Sequence, residues 1–339
     1  MDALPQFDMI RPTSVAELAE ARKAHPESRL IGGGTDLLVN IRRGIEAPGL
    51  LIDTSCLDEL KSIDVGPGGL SVGASVRLFE LAEHDGVRRH FPAIAEAAAS
   101  IAGPTHRNMG TVGGNIALDT RCIYYNQSEW WREANRHCLK TELGDMCHVA
   151  PKSKGVCFAT YSGDLAPAFL LFGGALDLLG PSGARSVAMQ DFYIGRARQD
   201  GSTGDGIRYM AIEPGEVVLR VRATAAPDLA SAYDKVRIRR SIEYPVAGCA
   251  AALRRDGDAL ADLRIAFTGT NPRPVLLEGT DRLAGQPLDE GALQVIDDLC
   301  KDQLMSMKTT FTPGHYRRLV PQPSGQALCH LRRHAAASR

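Results

Sequence analysis

Four cysteines, Cys122, Cys138, Cys147 and Cys157, fall in one polar stretch with the spacing C-x15-C-x8-C-x9-C. Thiolates gathered in this way can close around a metal centre, and the free energy of ligation then becomes folding free energy for a segment with no core of its own. The segment needs such help, because "NQSEWWREANRH" and its surroundings are hydrophilic and offer little apolar surface against the entropy of ordering. Structural zinc usually takes its cysteines in pairs separated by about two to four residues, whereas a [4Fe–4S] cluster asks for four thiolates without that restriction. The long, irregular gaps leave iron–sulfur and zinc both open. His137 and His148 flank candidate ligands; with a full set of cysteines they are expected to hydrogen-bond around the centre or face solvent. Trp130 and Trp131 are expected to form a small apolar lid over it, partner docking being the other reading. The remaining cysteines, Cys56, Cys249, Cys300 and Cys329, are scattered and read as small buried hydrophobes or idle thiols.

A second chemistry resides in two glycine loops. "LIGGGTDL", Leu30 to Leu37, follows an apolar strand, and three successive glycines allow backbone N–H groups to approach an anion that a Cβ would keep away. "RNMGTVGGNIA", Arg107 to Ala117, supplies another glycine pair, with Thr111 and Asn115 placed to donate hydrogen bonds. Two such loops can clasp the two ends of a diphosphate. Neither G-x-G-x-x-G nor G-x-x-x-x-G-K-[ST] fits, which disfavours nicotinamide binding and nucleotide hydrolysis.

Around these loops the chain reads as ordinary α/β material. Its 339 residues are 44% hydrophobic, enough to bury sizeable cores in two domains. A formal net charge of -1 and no dense block of Lys and Arg disfavour nucleic acid and anionic membranes as partners. The opening residues lack a signal-peptide pattern and no stretch is apolar enough to span a bilayer, so a cytoplasmic location is expected; clustered thiols there point to metal or redox work.

"TSVAELAEARKAH" predicts a first helix, followed by a small β-α-β-β unit ending at "APGLLIDTSCL". "LKSIDVGPGGLSVG" predicts a hairpin leading into a helix from near Ser75, and "FPAIAEAAASIAG" a small-residue helix. "DLAPAFLLFGGALDLLG" predicts a helix and a strand, "EVVLRVRA" another strand, and "RQDGSTGDG" a surface loop. "TAAPDLASAYDKV" breaks both periodicities and marks a change of domain. Beyond it, "AGCAAALRRDGDALADLRIAFTG" is a strand, a tight turn and a strand, followed by mostly helical segments up to "HYRRLV". The "RRHAAASR" tail reads as frayed.

The pair of motifs, G-G-G-T-D-L and then T-x-G-G-N, resembles the flavin subunit of the molybdenum hydroxylases, which include carbon monoxide dehydrogenase and xanthine dehydrogenase. The resemblance covers nearly the whole chain and implies an α+β fold: a PCMH-type FAD-binding domain of two α/β subdomains over residues 1–225, then a small C-terminal α+β domain with an antiparallel sheet and helices over 229–335. It places the FAD pyrophosphate on Leu30, Ile31, Gly32, Gly33, Gly34, Thr35, Asp36 and Leu37, with Gly110, Thr111, Gly114 and Asn115 on the second loop. Asp164 would bind the adenosine ribose or act as a helix N-cap, Val218 would line the cofactor, and Lys235 would stand close to the flavin, where a positive charge favours the anionic reduced ring.

Relative to that family the span of about residues 118–161 is a long insertion, and it holds the four cysteines. One branch, typified by the β subunit of 4-hydroxybenzoyl-CoA reductase, carries a [4Fe–4S] cluster on an insertion at this position, and the chain resembles that branch. The resemblance implies a molybdopterin-binding large subunit and a small subunit with [2Fe–2S] clusters, in a dimer of heterotrimers. Electrons from ferredoxin would cross this chain by way of the cluster and FAD, to remove the phenolic hydroxyl of 4-hydroxybenzoyl-CoA at molybdenum. No catalytic acid or base is expected on this chain. The other readings are the flavin subunit of an oxidative molybdenum hydroxylase and a non-catalytic flavin-binding sensor. Because the glycine loops lie outside the insertion, loss of a cysteine ligand is expected to leave FAD bound.

Overall fold

The computed structural model describes residues 4–196, 204–239, 241–313 and 316–317. Three sheets organise it. A small parallel sheet comprises β1 (Asp8–Ile10), β2 (Arg29–Ile31) and β3 (Leu50–Asp53) in the order β1-β3-β2. The helices Val15–Ala24 and Leu37–Arg42 serve as its crossovers, as parallel pairing requires. Ser14 caps the first of them, accepting from the Glu17 N–H at 3.1 Å. β1 is absent from the sequence reading: three residues of "DMI", two of them exposed, carry too little pattern to mark a strand.

The second sheet is antiparallel and joins distant parts of the chain. It contains β4 (Ile63–Gly66), β5 (Gly69–Gly73), β6 (Ala175–Gly180), β7 (Gly183–Ala188) and β8 (Val217–Thr224) in the order β4-β5-β8-β6-β7. The predicted hairpin is β4–β5, and the helix expected from near Ser75 begins at Leu78. Against this sheet pack the helices Leu78–Glu83, Pro92–Ser100 and Leu165–Leu170. The second of these has Pro at its first turn and buries Ala93, Ile94, Ala97 and Ala98; alanine favours the helix and lets neighbours approach closely. Phe91 meets Phe172 edge-to-face, with ring centroids 5.0 Å apart. Each fully buried Leu or Phe here contributes about 1.5–3 kcal/mol.

The third sheet comprises β9 (Ala230–Val236), β10 (Ala247–Asp256), β11 (Ala259–Thr268) and β12 (Val275–Leu276), ordered β12-β11-β10-β9. The β10–β11 hairpin turns at the expected "RDGD", with Asp256 opposite Ala259. One face is covered by the helix Glu290–Gln303, capped by Asp289, whose Ile296, Leu299 and Cys300 pack on Leu253, Ile265 and Phe267.

Two expectations are corrected. "ASAYDKV", assigned to an irregular boundary, is β9, fully paired to β10; its alanines and polar residues disguise a strand that becomes buried by pairing. Of the helical segments expected after β11, one long helix forms, and residues 304–313 are irregular. Residues 198–203 of the predicted surface loop "RQDGSTGDG", the "RRHAAASR" tail and Cys329 lie outside the described residues. No helix among the described residues is long and apolar enough to cross a membrane.

Candidate functional site

A cavity of about 900 Å³ opens where the first two sheets meet. The whole first loop, Leu30 to Leu37, lines it, as do Gly110, Thr111, Gly114, Asn115, Asp164 and Val218. Thus fourteen of the fifteen residues assigned to the cofactor meet in one place; Lys235 stands just behind the wall.

The glycines serve loop contact as much as ligand approach. A Cβ on Gly33 would lie 1.8 Å from the Met109 carbonyl oxygen, and one on Gly32 would lie 2.9 Å from Thr111 Oγ1. The two loops are therefore pressed together across the cavity wall, and Gly34 turns the chain with φ +68°, a left-handed conformation that favours glycine. Thr111 caps the short helix Val112–Ile116 by accepting from the Gly114 N–H at 3.2 Å. The Asn115 carbonyl oxygen of the side chain accepts from Leu165 N–H at 3.0 Å. Both side chains thus accept within the fold rather than serving only as donors to a ligand.

Asp164 and Lys235, expected at the ribose and near the flavin, are partners of each other. Lys235 Nζ lies 3.1 Å from Asp164 Oδ1, with both side chains almost wholly buried. Tyr233 donates its hydroxyl to the same carboxylate at 2.5 Å, and burial raises the Tyr233 phenol well above its ordinary range, so it remains a donor. Asp164 occupies the N-cap position of Leu165–Leu170 but makes no capping hydrogen bond. The pair acts on the cavity as a unit, Asp164 at the wall and Lys235 as its counter-charge. Sequence reading treats them separately, because 71 positions divide them.

Asp36 anchors a second polar network. It accepts from Arg121 Nη2 at 2.6 Å, Asn40 Nδ2 at 2.8 Å and the Tyr244 hydroxyl at 2.9 Å. Beneath the second loop, the Tyr161 and Tyr193 hydroxyls donate to the Ile116 carbonyl at 3.0 and 2.8 Å. Arg121, Tyr161, Tyr193 and Tyr244 are absent from the sequence reading; position 121 carries one signal, its place beside Cys122.

The insertion is not separate from this cavity, contrary to expectation: Leu118, Asp119, Arg121, Tyr125 and Asn126 line it. Its base is closed by a two-way backbone bridge between Arg121 and Thr160, both bonds 2.8 Å. Within it the only regular element among the described residues is the helix Glu129–Ala134. Its interior contains Cys122, Cys138 and Cys157 with Tyr125 and Ala159. All four cysteines are buried free thiols, each 4–7% exposed. Burial pushes Cys122 up to about 11 and Cys157 up to about 12, and Cys147 stands near enough to Cys122, Cys138 and Cys157 to act electrostatically on each. Backbone N–H groups point at sulfur, including Ala159 N–H to Cys157 Sγ at 3.4 Å.

Among the described residues, no group of three or more His, Cys, Asp or Glu side chains is placed to hold a metal ion. A single zinc would draw its ligands to within about 2.3 Å of one point. A four-iron cluster instead takes its thiolates at separate corners. The four thiols match such a cluster in donor type and number alone.

Lys140 links the thiols to the cavity. Its ammonium donates to Asp119 Oδ1, Thr120 Oγ1 and the Gly206 carbonyl at 2.7–2.9 Å and lies over the Tyr125 and Tyr209 rings, 5.2 and 5.6 Å from their centres. His148 Nε2 lies 2.5 Å from the His137 carbonyl oxygen. Trp130 does not form the expected lid, being 75% exposed. Trp131 lies beside Tyr124, ring centroids 6.3 Å apart.

Residues 5–223 match the FAD-binding domain in molybdopterin dehydrogenase and residues 231–322 the CO dehydrogenase flavoprotein C-terminal domain. The chain belongs to the FAD-binding subunits of the molybdenum hydroxylase family. It is 31% identical to the aldehyde oxidoreductase FAD-binding subunit PaoB of Escherichia coli (strain K12), over 90% of this chain and 93% of the relative. It is 28% identical to the carbon monoxide dehydrogenase medium chain of Hydrogenophaga pseudoflava, over 87% and 85%. The fold is that of a chain in the reconstituted CO dehydrogenase from Oligotropha carboxidovorans, with a TM-score of 0.77 at 24% identity over 96% of this chain and 97% of that one. The cavity fits FAD: two glycine loops in contact, N–H groups at a capped helix start and a wall that mixes polar groups with apolar side chains such as Leu78, Leu118 and Val218.

Proposed function

We propose that the chain is the electron-relaying flavin subunit of a molybdenum enzyme of the 4-hydroxybenzoyl-CoA reductase type, with a [4Fe–4S] cluster on the insertion. The observation that carries this reading is the set of four buried, unpaired thiols on an insertion whose Arg121, Tyr125 and Asn126 line the FAD cavity. Bound FAD supplies exchange between one-electron and two-electron carriers. A cluster held by Cys122, Cys138, Cys147 and Cys157 would supply a one-electron port. The residues of the chain bind, orient and exclude water: the glycine loops cradle the dinucleotide, the Asp164–Lys235 pair fixes charge at the wall, and Tyr161 and Tyr193 hold the second loop.

The partners on this reading are a molybdopterin-binding large subunit and a [2Fe–2S] small subunit, assembled as a dimer of heterotrimers, with ferredoxin as donor in the cytoplasm. Relatives named as medium chains and FAD-binding subunits support a chain that works within a larger enzyme. The test is iron, acid-labile sulfide and zinc analysis of the anaerobically purified chain, with electron paramagnetic resonance after dithionite reduction. About four iron and four sulfide per flavin are expected; one zinc without sulfide would remove the reading.

A second reading, an oxidative molybdenum hydroxylase in which electrons leave by FAD, is favoured by the aldehyde oxidoreductase relative. A complex whose flavin is reduced by aldehydes, and which fails to dehydroxylate 4-hydroxybenzoyl-CoA with reduced ferredoxin, would establish it instead.

A further inference from the structure

We propose that the turn from Arg121 to Asn126, which carries the first of the four thiols, couples the two cofactor sites, with Arg121 as the positioning residue that makes flavin affinity depend on ligation at the cysteines. The inference rests on the cluster reading above and deepens it.

The turn belongs to both sites at once. Cys122 faces the thiol cluster, while its neighbours Arg121, Tyr125 and Asn126 line the flavin cavity. It is short and tied, internally by Asn126 N–H donating to the Cys122 carbonyl at 2.9 Å and outwardly by Ile123 N–H donating to the Thr309 carbonyl at 2.9 Å. A pull on the Cys122 sulfur therefore displaces the cavity wall.

Arg121 carries that displacement to the first glycine loop. Its side chain is 7% exposed and Nη2 bonds Asp36 Oδ2 at 2.6 Å. Asp36 is itself oriented by Asn40 and Tyr244, so the guanidinium completes a network that sets the loop on which the pyrophosphate would rest. Two polar atoms of the turn remain without partners although buried, Arg121 Nη1 and Asn126 Oδ1. A buried unpaired donor is costly, and here a donor and an acceptor flank the same cysteine at the wall of the cavity. A bound dinucleotide can use both if the turn is held in place, and ligation of Cys122 adds a side-chain anchor to the backbone bonds that already tie the turn.

Coupling of this kind is reciprocal: whatever factor ligation adds to flavin affinity, flavin adds to retention of the ligated metal. A factor of about ten lies within the ordinary range for two sites sharing one structural element.

The experiment uses the full-length chain in a four-corner cycle. The FAD dissociation constant is measured by flavin fluorescence for the wild type, Cys138→Ser, Arg121→Met and the double variant, with iron and sulfide analysed on each sample. Cys138→Ser is expected to weaken FAD about tenfold in the Arg121 background and less than about twofold in the Met background. Equal losses in both backgrounds, or none in either, would overturn the coupling while leaving the cluster reading intact. A wild type without iron and sulfide would remove the cluster reading and the coupling with it. Should Arg121→Met not fold, the reciprocal measurement needs no variant: saturating FAD is expected to raise about tenfold the chelator concentration at which the wild type has lost half its iron at equilibrium, and an unchanged midpoint would overturn the proposal.

Discussion

The flavin cavity and the cysteine insertion share a wall and are held together by different means. The cavity is set by elements that would stand without any ligand: two sheets, the helices packed on them and a core of fully buried side chains such as Leu165, Phe169 and Val221. The insertion has one helix of six residues, and its small apolar interior is largely cysteine and tyrosine. One site is preorganised by burial and the other asks for ligation, so the same perturbation should act differently on each.

The largest effect is expected at the buried ion pair behind the cavity. Asp164→Asn keeps an acceptor for Tyr233 but leaves the Lys235 ammonium without its counter-charge, and should cost about 3–5 kcal/mol in urea denaturation. Adding Lys235→Met should recover much of that loss; no recovery would mean the pair matters for packing alone. Next comes Gly33→Val, which must drive the two glycine loops apart because the Met109 carbonyl stands where its Cβ would be. FAD affinity should fall by at least about a hundredfold, roughly 2.7 kcal/mol, while the antiparallel sheets stay folded by circular dichroism.

On the insertion side, Cys157→Ser should raise the rate of limited proteolysis between residues 129 and 154 by about tenfold, the signature of local opening, with cleavage elsewhere unchanged. A uniform rise would erase the contrast between the regions. The smallest effect concerns a cysteine outside both sites. Burial pushes Cys300 up to about 12, against about 8.5 in an unfolded chain, so the protonated thiol favours the fold. Its contribution is whole below about pH 8.5 and is lost as pH rises toward 12, by the linkage between proton binding and folding. Cys300→Ala should flatten the fall of stability across that window, and exposed Cys56 should alkylate at neutral pH while Cys249 and Cys300 do not.

The same contrast explains what the sequence discloses. Glycine loops, the "RDGD" hairpin and the four cysteines are local signals, and the structure brings the loop residues to one cavity. The Asp164–Lys235 pair, the Arg121–Asp36 bond and the pairing of β5 with β8 depend on contacts across roughly 70 to 150 positions, which periodicity does not register. β9 and β7 escape notice for a related reason. β9 mixes alanine with polar residues, and β7, "GARSVA", is almost wholly exposed, so neither shows the alternation of a half-buried strand. The insertion's lack of an apolar core is legible in composition; its role as part of the flavin cavity is not, because nothing local ties Leu118 or Asn126 to residue 36.

The most direct test of ligand-dependent order is hydrogen–deuterium exchange on the FAD-loaded chain before and after iron is removed by a chelator. Amides between residues 121 and 157 should lose protection on iron removal, while those of β5, β6 and β8 keep theirs. Protection in the insertion that is the same with and without iron would contradict the account.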